Sequence, residues 1–66
     1  MVELTKTEKT IYNLLIEGFS TTEIAKFLNI KYSTFRSHLN HIFEKKGVSS
    51  QNELIVLHYR GKVRNG

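Results

Sequence analysis

One device, used three times, constrains this chain more than anything else in it: a hydroxyl residue followed three positions later by glutamate, just ahead of an apolar run. Thr5 with Glu8, Ser20 with Glu23 and Ser50 with Glu53 each have this form. In such a capping box the hydroxyl accepts the amide of the third helical residue, and the carboxylate returns to the amide of the cap. Stops are marked as well. Gly18, Gly47 and Gly61 fall where apolar runs of helical period end, and Asn29 is a residue that tolerates the left-handed conformation of a helix C-cap. Proline is absent. This punctuation predicts helices over about 6–17, 21–28, 32–46 and 51–60, followed by a polar tail at 61–66. No period-two alternation signals a strand, and there is no repeat or linker. The chain therefore reads as one all-α domain, a compact four-helix unit over residues 1–66.

Size and composition narrow the function. A core in 66 residues supplies only roughly 3–5 kcal/mol of stability, a poor basis for an enzyme with a buried pocket. No nucleophile elbow, phosphate loop or paired acid is present, so neither catalysis nor a cofactor nor a small-molecule ligand is expected. The absence of cysteine rules out disulfides and cysteine-based zinc sites. No run approaches the roughly 18 apolar residues of a membrane span, and the start lacks the plan of a signal peptide, so a cytoplasmic location is expected. His38 and His41 sit three apart, and His58 could add a third ligand, but no carboxylate clusters near them. Without a metal, His38 reads as a core-edge histidine and His41 as a phosphate or solvent contact. Ten Lys and Arg against six Asp and Glu give a formal charge of +4, which favours an anionic partner.

The third helix carries the more specific signal. Phe35, Leu39 and Ile42 form its inner stripe, with His38 beside it, while Ser33, Arg36, Ser37, Asn40 and Glu44 form a second, polar stripe. A merely solvated face is usually built from long Lys and Glu, which are good helix formers; this one carries short hydroxyls, Asn and Arg. Arg can bond guanine O6 and N7 together, and Asn adenine N6 and N7, each contributing roughly 1–3 kcal/mol of discrimination. Arg36 and Asn40 are one turn apart, about 6 Å along the axis, a spacing suited to neighbouring base pairs. Ser33, Thr34 and Ser37 permit close approach and suit phosphate oxygens, and Lys26, Lys31, Lys45 and Lys46 could flank the face. A short helix, a turn near Asn29 and Ile30, and a longer helix with such a face have the layout of a helix-turn-helix.

From Leu4 to about Tyr59 the chain resembles the LuxR-type (GerE-like) helix-turn-helix domain of bacterial transcription regulators. The resemblance rests on "LTKTE" opening the first helix, "EGFSTTEIAKFLNI" for the supporting helix and turn, "STFRSHLNHIFEKKGV" for the recognition helix and "SSQNEL" opening the last. It implies a regulator that binds double-stranded DNA, with Thr34 to Lys45 in the major groove and the last helix pairing two copies. The groove-facing positions fall on Arg36, Ser37 and Asn40, the residues selected by the polar stripe. Backbone phosphates are then expected at Thr21, Thr22, Lys31, Tyr32, Ser33, Thr34, His41 and Lys45. Three positions depart from the pattern. Lys31 stands where a capping serine is usual, leaving either a weaker start or a shorter helix capped by Ser33. Lys46 replaces a usually apolar residue, so Phe43 is expected to fill part of that space. Asn40 stands where a basic residue is common, so the family's DNA sequence preferences do not carry over.

In the last helix, "ELIVLHY", Leu54 and Leu57 are expected to face inward, while Ile55, Val56 and Tyr59 spread over another face. That is more apolar surface than one inward stripe buries. A homodimer through Ile55, Val56 and Tyr59 would account for it and place two recognition helices about a twofold axis. Two rivals share the fold. A lone domain of this kind could antagonise a larger regulator by binding its DNA-binding domain, or it could be a DNA-binding domain like that of sigma factors. The groove face argues against the first, and the segment from Gly47 to Leu54 against the second.

Overall fold

The structure, a computed structural model, describes residues 3–63. It consists of α1 (Lys6–Ile16), α2 (Thr21–Leu28), α3 (Tyr32–Lys46) and α4 (Gln51–Val63), and among the described residues there is no strand. The first two capping boxes form in full. Thr5 Oγ1 accepts the Glu8 amide at 3.2 Å, while the Thr5 amide donates to Glu8 Oε1 at 2.9 Å. Ser20 and Glu23 repeat the pair at 3.1 and 2.9 Å. At α4 the hydroxyl half is as expected, with the Glu53 amide donating to Ser50 Oγ at 3.2 Å. The Glu53 carboxylate, however, takes the amide of Ser49, one residue earlier, at 2.6 Å.

The first three helices end alike. Amides of Phe19, Ile30 and Val48 reach back to the carbonyls of Leu14, Ala25 and Phe43 at 3.1, 3.1 and 3.0 Å. The residue before each amide has left-handed backbone: Gly18 at φ +102°, Asn29 at +57° and Gly47 at +72°. This is the Schellman closure, which places an apolar residue just after the turn against the helix it ends. Ile30 and Val48 fill that place against the core.

Two boundaries differ from expectation. Lys31 is the N-cap of α3 with no side-chain hydrogen bond, and Ser33 does not replace it. The Phe35 amide bonds the Lys31 carbonyl at 2.9 Å, closing a first turn that seats Phe35 at 0% exposure. Starting the helix at Ser33 would forfeit that bond. At the other end, Gly61 does not stop α4, which runs on to Val63. Glycine costs a helix interior only about 1 kcal/mol relative to alanine, and no proline follows to enforce a stop. The remainder of the expected polar tail, residues 64–66, lies outside the described residues.

α1 and α3 form the central pair, each packing on the other and on both remaining helices, while among the described residues α2 and α4 do not meet. Their shared core is Ile11, Leu15, Ile24, Ala25, Phe35, Leu39, Ile42 and Leu54. Leu14, Leu28 and Phe43 pack at its margin, and the Lys46 ammonium lies 5.2 Å from the centre of the Tyr12 ring. Leu57 contradicts its expected inward position, being 42% exposed. The inward line from Leu54 passes through His58, whose Nδ1 is 2.9 Å from the Tyr12 hydroxyl, and so carries Leu57 to the flank.

Candidate nucleic-acid interface

The inner stripe of α3 is fully seated: Phe35, Leu39 and Ile42 are all at 0% exposure, and His38 is half-buried beside them. The opposite stripe, comprising Ser33, Arg36, Ser37, Asn40 and Glu44, is exposed along its whole length, as are Thr34 and His41 on its flank. Among the described residues the one ion pair lies elsewhere in the molecule, so Arg36 and Lys31 are held by no carboxylate. The Ser37 hydroxyl donates to the Ser33 carbonyl, but at 3.4 Å that bond is long and easily exchanged. Arg36 and Asn40 therefore present unspent donors and acceptors one helical turn apart.

Charge along α3 is uneven. From Tyr32 to His41 there is no acidic residue, and Glu44 is the first. Phosphates are repelled by Glu44, so the first two and a half turns form the end suited to a polyanion. The start of α2 joins that end. Thr21 Oγ1 lies 3.2 Å from the Tyr32 hydroxyl, and the Tyr32 ring leans on Phe35 with centroids 5.7 Å apart. This contact holds the uncapped start of α3 against the supporting helix. Thr22, Lys31, Tyr32 and Ser33 are exposed and Thr21 is half-buried, and the Thr21–Tyr32 contact brings the N-termini of α2 and α3 together.

Lys45 stands apart from that group. Its ammonium is 2.7 Å from Glu8 Oε1, and Glu8 is only 3% exposed. The same carboxylate oxygen accepts the Thr5 amide, so one acidic group closes the cap of α1 and ties down the far end of α3. The Lys45 hydrogen bond, then the Thr5 amide, hold the Glu8 carboxyl below its ordinary value of 4.5 against the opposing effect of burial. Sequence reasoning placed Lys45 at a phosphate and assigned Glu8 only to the cap. A signal for the pair was available: Glu8, Ile11 and Leu15 share one stripe of α1, and a carboxylate on an apolar stripe requires a partner.

On α4 the three candidate interface residues separate. Ile55 is half-buried, and the Tyr59 hydroxyl turns back toward the Ile16 carbonyl at 3.5 Å, although the ring remains 50% exposed. Only Val56, at 52%, points wholly outward. Leu57, absent from the expected set, joins it in a shallow groove with Val48, Asn52, Glu53 and Arg60. The three histidines are not brought together as a ligand set: His58 bonds Tyr12, and among the described residues no three His, Asp or Glu side chains converge.

The model of the GerE family, described as bacterial regulatory proteins of the luxR family, matches residues 2–58. The spore germination protein GerE of Bacillus subtilis is 36% identical over 53 residues, covering 80% of this chain and 72% of that protein. The monoamine regulon transcriptional regulator of Klebsiella aerogenes is 40% identical over 52 residues, 79% of this chain and 23% of the other. The transcriptional regulatory protein TdiR of Thauera aromatica is 34% identical over 61 residues, 92% of this chain and 27% of the other. The chain spans as little as 6% of the length of some curated relatives, among them a Mycobacterium bovis protein 38% identical over 52 residues. No solved structure is a significant match.

Proposed function

This chain belongs to the luxR family of bacterial regulatory proteins, and from that premise we propose that it regulates transcription by reading a specific duplex DNA sequence, with α3 in the major groove. The observation that carries this reading is the exposed face of α3, where Arg36 and Asn40 stand one turn apart with no internal partner and no acid before Glu44. In this reading Arg36, Ser37 and Asn40 meet base edges, while Thr21, Thr22, Lys31, Tyr32, Ser33, Thr34 and His41 meet phosphates. Lys45 is withdrawn from the phosphate set, because reaching DNA would strand the Glu8 carboxylate in the core. Regulation would take place in the cytoplasm, and no helix of the described residues is long and apolar enough to cross a membrane.

The active form is a homodimer joined through α4, which sets two copies of α3 on two half-sites and raises an affinity that one small helix face leaves modest. Among the described residues α2 and α4 do not touch, so pairing through α4 leaves the DNA face of α2 and α3 uncovered. Selection of bound duplexes from a random pool at fixed salt tests the reading. It should return an enriched site with two related halves. Recovery of no enriched sequence would replace it with the antagonist, a domain that binds another regulator rather than DNA.

A further inference from the structure

The outer side of α2 leaves apolar surface uncovered that its own core does not use. Phe27 is 71% exposed, more than any other large apolar side chain among the described residues. Beside it runs a groove of about 440 Å³, lined by Leu14, Ile24 and Phe19, the last itself 45% exposed. α2 packs only on α1 and α3 among the described residues, and neither closes the groove. Two charges share its rim. Glu23 and Lys26 are three residues apart and straddle the outermost line of α2, opposite the buried Ile24 and Ala25. One oxygen of the Glu23 carboxylate is fixed by the Ser20 amide at 2.9 Å, which leaves the second open to an outside cation. Lys26 belongs to no ion pair among the described residues.

A knob beside a hole on one face can pair with a copy of itself. At about 100° per residue, Phe27 lies on the Glu23 side of the outermost line, the flank on which the groove opens. A twofold axis that sets two α2 helices antiparallel, crossing between Glu23 and Lys26, keeps both Phe27 rings on that flank. Each ring then stands over the other copy's groove, and each Lys26 meets the other copy's Glu23. Parallel pairing in register would set glutamate against glutamate and send the two rings to opposite flanks. The face is therefore complementary to itself in one orientation, the condition for a twofold contact. We infer that a second copy of this chain docks in this groove, α2 against α2 and antiparallel, with the Phe27 rings exchanged and two Glu23 to Lys26 ion pairs. The contact is separate from any pairing through α4, and none of the DNA contacts proposed above lines the groove. It would link copies already joined through α4 into larger assemblies.

Sedimentation equilibrium of the full chain provides the test, with a Val56→Glu protein as the reference so that pairing through α4 does not contribute. At low salt and concentrations up to millimolar, the reference should be a monomer in equilibrium with a dimer. Adding Phe27→Glu should weaken that association by at least about tenfold, because both ring insertions are lost. Urea unfolding of the dilute monomer should hardly change, since the ring is mostly in solvent. Adding Lys26→Glu or Glu23→Lys should each weaken association by about tenfold, because each opposes like charges twice. An equimolar mixture of those two should associate more tightly than either alone, since every pair between them is again of opposite sign, and high salt should erase that difference. Circular dichroism checks that Glu23→Lys, which also loses the Ser20 bond, remains helical, and the rescue in the mixture stands whatever that loss costs. A reference that stays monomeric at millimolar concentration would overturn the contact and leave the groove to a different protein. Association that Phe27→Glu does not weaken, or a mixture no tighter than its components, would overturn this face. Neither result bears on α3 as the DNA-reading helix or on pairing through α4, because the reference already lacks the latter.

Discussion

α3 and α4 are helices of similar length, 15 and 13 residues, built to opposite plans. α3 buries Phe35, Leu39 and Ile42 completely and leaves one aromatic, Tyr32, about half exposed at its start, whereas among the described side chains α4 buries only Leu54 completely and leaves Val56, Leu57 and Tyr59 about half exposed. A helix whose aliphatic residues are all consumed by the core has an exterior free to specialise for bases, through short hydroxyls, arginine and asparagine. A helix with apolar residues to spare presents them to protein. The contrast also separates the two lysines expected at phosphates: Lys31 is exposed at the front of α3, and Lys45 is tied to α1 at its back.

The largest effect should come from breaking the inner side of α3. Leu39→Ala at 0% exposure should cost about 2–5 kcal/mol in urea unfolding, a severe loss for so small a core. Leu57→Ala should change the stability of the monomer by less than about 0.5 kcal/mol, because its side chain lies outside the core. Comparable losses for the two would erase the contrast between the helices.

Lys45→Met comes next. It leaves the Glu8 carboxylate buried with only the Thr5 amide, at a cost of about 1–3 kcal/mol. The salt dependence of DNA binding should be unchanged, whereas Lys31→Ala should reduce the slope of log affinity against log salt by about 1. A smaller slope for Lys45→Met would return that lysine to the phosphates. pH sharpens the point. The folded-state value of Glu8 is depressed, so its contribution is fully present above about 4.5 and is lost as pH falls through the lower folded value. Without Lys45 the Thr5 amide is the main group left to oppose burial, so the depression is smaller and the stability gap between parent and Lys45→Met should narrow as pH falls below about 4.5 in acid unfolding.

On the outer side of α3, Arg36→Ala should weaken binding to the selected site by about 1–3 kcal/mol and relax preference at one base pair, while binding to random duplex falls much less. Equal losses on both would make Arg36 a phosphate contact. One small change is a gain. Lys31→Ser supplies the missing N-cap of α3 and should raise stability by about 0.5–1 kcal/mol, even as it removes a positive charge from the DNA face.

Much of this molecule could be read before the fold was known, and the reason is range. A capping box acts over three residues and a Schellman turn over five, so Thr5, Ser20, Asn29 and Gly47 specified their turns with no help from distant parts of the chain. The outer stripe of α3 was equally readable, because Phe35, Leu39 and Ile42 leave one way for that helix to face. Where several faces were plausible, local rules ran out. Nothing within the turn around Leu57 says which way α4 faces it; that follows from Leu54 packing into the core and His58 meeting Tyr12, 46 positions away in sequence. Lys45 finds Glu8 across 37 positions. Helix boundaries and the polar stripe were set by neighbours along the chain, but which lysine remains free for DNA, and which side of α4 remains free for a partner, were decided by contacts that exist only once α1 lies against α3 and α4.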